Sequence, residues 1–280
     1  MSFSPVEETE ISEKRVLEND AATKTNNEPE EKKRKVVYDP VTAELTIKQH
    51  RISFGEQFKP PISFKPALAR ALVDARFEHA SELQLACLPA ALQGFDIISW
   101  GNAGTGKTTI FILVSLQRMQ VVKDEVVCLV LAHTRELVHQ INRQYELFAK
   151  YMEGVKTASF YGGVPIEENL HALQHSTPNI VVGTPNRIQD LVSRKSLRLN
   201  HVQFFIVDEC DHVLSIAVPP HIKMGENLQE IISACPSKEK MQIIFVSCSI
   251  PLALLPVCRS LTKADHTFEY NYWLRAKASS

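Results

Sequence analysis

Six short apolar runs constrain this chain more than anything else in it: DIISW (96–100), VVCLVLA (126–132), VKTASFY (155–161), NIVVGT (179–184), FFIVD (204–208) and QIIFVS (242–247). They are rich in β-branched residues and nearly continuous in their apolar character, where a strand with one wet face would alternate. They read as strands buried on both faces of a parallel sheet, and a last strand is expected near HTFEYNYW (266–273). Segments that read as helices separate them, among them 109–120, 135–151 and 186–196. Strand–helix alternation at this spacing predicts an α/β fold: a doubly wound, mostly parallel sheet with helices on both faces. With 44% apolar residues in 280, the chain can bury one large core or at most two small ones.

Composition excludes more than it assigns. A net charge of −1 gives no overall pull toward nucleic acid or an acidic membrane, so any nucleic-acid contact must be a local patch. The six cysteines are scattered without a CxxC pair, which argues against a zinc site and for a reducing, intracellular setting. No apolar run approaches the ~20 residues that span a bilayer, and the N-terminus lacks the apolar segment of a signal peptide. The expectation is a soluble protein with no membrane partner. Residues 1–45, rich in Glu, Lys, Asn, Thr and Ser, are expected to form a disordered tail, because they cannot bury enough surface to offset their ordering entropy. Within it Lys32, Lys33, Arg34 and Lys35 form a basic run that reads either as a solvated charge cluster or as a nuclear-import signal.

The first apolar run leads directly into Gly101-Asn102-Ala103-Gly104-Thr105-Gly106-Lys107-Thr108, and an apolar helix pattern follows. This is the G-x-x-x-x-G-K-[ST] spacing in the strand–loop–helix setting that its chemistry requires. Backbone N–H groups and a helix N-terminus face the anion, Gly104 and Gly106 admit close approach, Lys107 reaches the outer phosphates and Thr108 ligates Mg2+. Three of the chain's ten glycines fall in these eight residues, which sets the segment apart from an ordinary turn. Such a loop needs a carboxylate at the end of another strand. Asp208, which ends FFIVD, is the candidate Mg2+ ligand. Glu209 is the candidate base that orients and deprotonates an attacking water. Lys107, Asp208 and Glu209 are therefore the candidate catalytic residues.

The quartet Asp208-Glu209-Cys210-Asp211 resembles the signature of the DEAD-box RNA-dependent ATPases, and its cysteine resembles the subgroup acting in pre-mRNA splicing and mRNA export. Other segments follow in that family's order. Phe58, then RFEHASELQ ending at Gln84, resembles the adenine-reading segment, which implies that Phe58 stacks on the base and Gln84 pairs with its edge. HTRELV (133–138), YGG (161–163) and TPNR (184–187) are similar to the family's RNA motifs. They imply contacts to an RNA backbone from Thr134, Arg135, Gly162, Gly163, Thr184 and Arg187, which position a strand without reading its sequence. SCS (247–249) stands where the family has its coupling motif, implying that Ser247 and Ser249 bond to Asp211. The resemblance spans about residues 55–272 and implies a RecA-like ATP-binding domain over 46–275. It further implies ATP and Mg2+ as cofactors, RNA and splicing or export adaptor proteins as partners, a nuclear location, and RNA-stimulated ATP hydrolysis that remodels RNA or ribonucleoprotein.

This sequence also departs from the pattern. Asn186 stands where the family has glycine, Ser249 replaces threonine, Cys248 replaces alanine, and Arg76 and Ala80 replace the Gly and Pro that flank the adenine segment. The stretch 215–227 differs from the subgroup and looks a few residues longer. Family members continue into a second RecA-like domain that carries arginine fingers, and no second motif set is found in these 280 residues. Two readings stay open: an RNA helicase represented by its ATP-binding domain, or a shortened, non-catalytic module that binds ATP and RNA or adaptors without turnover. A different phosphate-loop NTPase, such as a DNA translocase, fits Gln84 and the acidic quartet poorly.

Overall fold

The apolar runs become strands, and the segments between them become helices. The computed structural model describes the backbone of residues 34–39, 44–47, 62–77, 79–215 and 226–272, so Phe58 and most of the 215–227 stretch fall outside the described residues. In chain order these are β1 (Arg34–Asp39), β2 (Glu44–Ile47), α1 (Pro66–Asp74), β3 (His79–Ala80), α2 (Glu82–Leu92), β4 (Asp96–Trp100), α3 (Lys107–Arg118) and β5 (Cys128–Leu131). They continue with α4 (Arg135–Phe148), β6 (Thr157–Phe160), α5 (Ile166–His175), β7 (Ile180–Gly183), α6 (Pro185–Ser193) and β8 (Phe204–Asp208). The last are α7 (Cys210–Ser215), α8 (Glu226–Ala234), β9 (Gln242–Ser247), α9 (Leu255–Leu261) and β10 (Thr267–Asn271).

Seven strands form one sheet in the order β10-β4-β9-β8-β5-β7-β6, with every neighbouring pair parallel. Successive residues of each strand point to opposite faces, and the core divides accordingly. Ile97, Val130, Val182, Ile206 and Ile244 pack with Leu68, Leu88, Phe111 and Ile141 from α1 to α4. Ile98, Leu129, Val181, Phe205 and Phe245 pack with Leu173, Ile188, Val213, Ile231 and Cys258 from α5 to α9. Burial on both faces explains why the five inner strands carry no polar alternation, and the doubly wound α/β reading holds.

Local chemistry fixes the helix ends beside the sheet's C-terminal edge. Ser81 and Gln84 form a reciprocal capping box at the start of α2. Thr134 caps α4, its hydroxyl accepting the Leu137 N–H at 3.1 Å. Pro185 occupies the first turn of α6, where its missing N–H costs nothing. The same helix stops at Ser193, short of the 196 read from sequence, because Lys195 turns into the left-handed region at φ 57.

Within the stretch 1–45, β1 and the start of β2 belong to a small antiparallel sheet, β2-β1-β3. Val36-Val37-Tyr38 and Leu45-Thr46-Ile47 are strong β-formers, and this local preference outweighs the polar composition around them. Arg34 and Lys35 of the basic run pair with Ala80 and His79 in that sheet.

Candidate functional site

Every candidate residue in the described structure lies at or just beyond the C-terminal edge of the seven-stranded sheet, except Gln84, which α2 brings there. That edge is where ligands of open α/β sheets collect. The loop after β4 turns through Gly104 at φ 79 and Gly106 at φ 78, backbone angles that a residue with a Cβ adopts only under strain. A Cβ at Gly106 would also run into the Gln84 amide. The N–H groups of α3's first turn have no helical partner and close the loop from one side. Lys107 is nearly buried, and its ammonium donates to the carbonyls of Gly101 and Asn102 at 2.7 Å each. Thr105 Oγ1 donates to the same Asn102 carbonyl at 2.8 Å, while Ala103 sits exposed at the tip. The loop thus carries a positive group at its centre and is cross-braced by its own side chains.

The segment that resembles an adenine reader is fastened to this loop. Gln84 is buried, its Oε1 accepts the Ser81 N–H at 2.9 Å, and its Nε2 donates to the Gly106 carbonyl at 3.1 Å. Ser81 Oγ donates to the Thr105 carbonyl at 2.6 Å. The described structure therefore gives Gln84 a bracing task that spacing alone did not suggest. One amide hydrogen and one lone pair of its carboxamide remain for a base. Phe58 lies outside the described residues.

β8 carries Asp208 to the loop. Thr108 Oγ1 donates to Asp208 Oδ2 at 3.1 Å, so the two candidate Mg2+ ligands touch. Asp208 is almost fully buried, and that burial pushes its carboxyl up to about 6, against the pull of the Thr108 hydroxyl and the Glu209 N–H. Glu209 follows in the left-handed region at φ 49, with its N–H on Asp208 Oδ1 at 2.9 Å. Its Oε2 lies 2.8 Å from Nδ1 of His133, close enough for an ion pair but without the alignment of a hydrogen bond. Asp211 accepts from Ser247 Oγ at 2.5 Å and from Ser249 Oγ at 3.4 Å, so the three coupling candidates meet.

The RNA-facing candidates come from the ends of three adjacent strands, β5, β7 and β6. Thr134 and Thr184 stand at the N-termini of α4 and α6, and the Thr184 hydroxyl makes no capping bond. Arg135 is exposed, with its guanidinium against Gly163, and Gly162 has open space beside its Cα. Arg187 differs from its companions. Its guanidinium donates to Asn169 and to the Val164 carbonyl, the latter at 2.6 Å, so it braces the glycine-pair loop against α5. Asn186 accepts from Asn227 Nδ2 at 2.8 Å, which ties the start of α6 to α8.

Some neighbours escaped the sequence reading. Gly101 packs so closely on Tyr272 that an added Cβ would stand 2.7 Å from the tyrosine Cβ. Ser81 and His133 lay inside motifs whose other members drew the attention, although the capping-box spacing of Ser81 and Gln84 was open to view.

The fold and this site have the form of a phosphate-loop domain of the helicase type. A DEAD/DEAH box helicase family model matches residues 81–255, and the chain belongs to that family. Its relatives include the ATP-dependent RNA helicase SUB2 of Chaetomium globosum, 43% identical over 70% of this chain and 44% of the relative. The human ATP-dependent RNA helicase DDX39A is 38% identical over 79% of this chain and 50% of the relative. A solved DEAD box protein from Methanococcus jannaschii superposes with a TM-score of 0.64 at 27% identity, over 81% of this chain and 56% of that one. The chain thus spans about half the length of the curated relatives it matches.

Proposed function

We propose that this chain is the ATP-binding domain of an ATP-dependent RNA helicase that remodels RNA and ribonucleoprotein in pre-mRNA splicing and mRNA export, in the nucleus. The observation that carries the reading is the convergence of Lys107, Thr108 and Asp208 on one glycine loop at the sheet edge, with Glu209 next in line. The oxygen donors suit a magnesium ion: a hydroxyl and a carboxylate in contact, the carboxylate buried and still short of positive charge. Thr108 and Asp208 would hold that ion, and its charge would offset that of the phosphates. Loop N–H groups and Lys107 bind and orient the phosphate chain. Glu209 takes a proton from the attacking water.

RNA would lie along the ends of β5, β7 and β6, held by Thr134, Arg135, the Gly162–Gly163 backbone and Thr184. In this reading Arg187 shapes the loop rather than grips a phosphate. The basic run Lys32–Lys35 would serve nuclear import, and adaptor proteins of splicing and export would be the protein partners.

Adenine preference tests the base assignment. The chain is expected to bind ATP more tightly than GTP, and Gln84→Ala should weaken ATP by about tenfold, within the 1–3 kcal/mol that a buried pairing is worth. Titration of a fluorescent nucleotide with ATP and GTP as competitors measures both. Equal affinity of the unmutated chain for the two nucleotides would rule the adenine assignment out.

A further inference from the structure

We infer that His133 is the positioning residue for Glu209, which rests on the reading of Glu209 as the base. His133 opens the segment assigned to RNA, but its ring turns the other way. β5 and β8 are parallel neighbours in which Leu131 is level with Val207. Two residues past this pair, beyond the ends of both strands, His133 and Glu209 come side by side. The histidine backbone is held on both sides, by the Ala132 N–H on the Gly183 carbonyl at 3.1 Å and by the Thr134 cap.

Glu209 needs such a support. A non-glycine residue at φ 49 is strained and persists only where its surroundings fix it. Three rotatable bonds then separate its carboxylate from that backbone, so the carboxylate samples several positions unless something holds it. Nδ1 of His133 stands 2.8 Å from Oε2, within hydrogen-bond distance of it though not aligned as one. With Oε2 against the ring, Oε1 is the oxygen left to receive the proton of the water.

The ring is itself supported. His212 stacks on it with centroids 4.6 Å apart and planes 20° from parallel. The His212 N–H donates to the Glu209 carbonyl at 2.9 Å, and its Nε2 lies 3.9 Å from Asp211 Oδ2. Ser247 and Ser249 both bond to that aspartate. A continuous set of contacts therefore runs from the coupling motif to the carboxylate that faces the water, and His133 is its last member.

Two measurements on the full chain test this. In 15N-histidine-labelled protein, the His133 ring is expected to carry its proton on Nδ1. Its Nδ1 resonance should move in Glu209→Gln, while that of exposed His139 stays put. Under single-turnover conditions with MgATP, His133→Ala should lower the hydrolysis rate constant ten- to a hundredfold, as a misplaced group does. MgATP affinity should change less than twofold, and His133→Asn, which keeps an N–H near the Nδ1 position, should recover most of the lost rate. An unmoved Nδ1 resonance, a His133→Ala rate within twofold of the unmutated one, or an Asn variant as slow as Ala would overturn the inference. So would loss of single-stranded RNA binding with unchanged hydrolysis, which would return His133 to the RNA face. Hydrolysis that survives Glu209→Gln would instead defeat the assignment of the base, leaving the resonance experiment to decide the contact.

Discussion

Asp96→Ala is expected to cost about 3–5 kcal/mol of stability, a large share of the ~5–15 kcal/mol that holds an ordinary domain folded. Asp96 opens β4 and is fully buried. Its Oδ1 accepts the Ile243 N–H at 2.8 Å, its Oδ2 accepts the Lys263 N–H at 2.9 Å, and Lys263 Nζ stands 3.2 Å away. One carboxylate thus ties β4 to β9 and to the turn that leads into β10, the two strands that flank β4 in the sheet. Alanine would orphan two backbone donors and take the carboxylate from a mostly shielded lysine, whose Nζ also donates to the Met241 carbonyl at 2.9 Å. Burial nevertheless holds the Asp96 carboxyl above the ordinary 3.8, with the two N–H groups and Lys263 pulling the other way. The native state therefore takes up this proton more readily than the unfolded chain, and the contribution of Asp96 to stability falls as pH rises through the window above 3.8. What the site uses is chiefly the pair of acceptors, not the charge. Asp96→Asn keeps one acceptor but sets its NH2 against the other backbone N–H, so it should lose about half as much as Asp96→Ala or more. Urea unfolding at pH 7, followed by circular dichroism, measures both. A loss below about 1 kcal/mol for Ala, the size of an average substitution, would contradict the account.

The parts of this molecule that were legible in its sequence are those whose chemistry is local. A phosphate loop needs glycines where φ is positive and a lysine at the helix start, so Gly104, Gly106 and Lys107 announce it in eight residues. Strands covered on both faces must be apolar throughout, so β4, β5, β7, β8 and β9 announce themselves. Asp208 was legible because the end of an apolar strand is one of few places where a carboxylate can meet that loop. What escaped depends on groups far apart in the chain. Gln84 and Gly106 are joined only when α2 folds against α3, and the capping box that aims Gln84 also commits its oxygen. Arg187 reads as a phosphate ligand beside Thr184, but the return of α5 presents it with Asn169 and the Val164 carbonyl. Tyr272 reaches Gly101 because β10 joins the sheet beside β4, a strand order that no spacing rule gives. His133 and Glu209 meet because β5 and β8 are neighbours whose chains leave the sheet side by side. The small sheet at β1 to β3 rests on two short stretches of strong β-formers set among polar residues.

Asp208→Asn is expected to stabilise the domain and to remove most of its affinity for magnesium nucleotide. Asp208 is 3% exposed, and its carboxyl is pushed up to about 6 from 3.8, first by burial and in smaller part by the charge of Glu209. Between those two values the native state binds the proton that the unfolded chain releases, so stability falls as pH rises from about 4 to about 6 and stays low above. The full difference corresponds to about 3 kcal/mol at pH 7. Asparagine carries no charge, keeps an oxygen for the Glu209 N–H, and its amide can donate to the Thr108 hydroxyl. The gain should therefore be about 1–3 kcal/mol at pH 7.5 and should shrink toward pH 5, where the native carboxyl is already largely protonated. The same charge is what a cation on Thr108 and Asp208 would need. Losing a group that merely orients a metal ligand costs about 10–100-fold, so losing the ligand itself should cost on the order of a hundredfold or more in MgATP affinity. Stability and function then pull one side chain in opposite directions, a common arrangement at functional sites. Thermal unfolding of both proteins at pH 7.5 and pH 5, alongside MgATP titration at pH 7.5, tests the argument. An Asp208→Asn variant that melts earlier than the unmutated chain at pH 7.5, or whose advantage does not narrow at pH 5, would show that the buried charge is not the source of the strain. An unchanged MgATP affinity would remove Asp208 from the metal site.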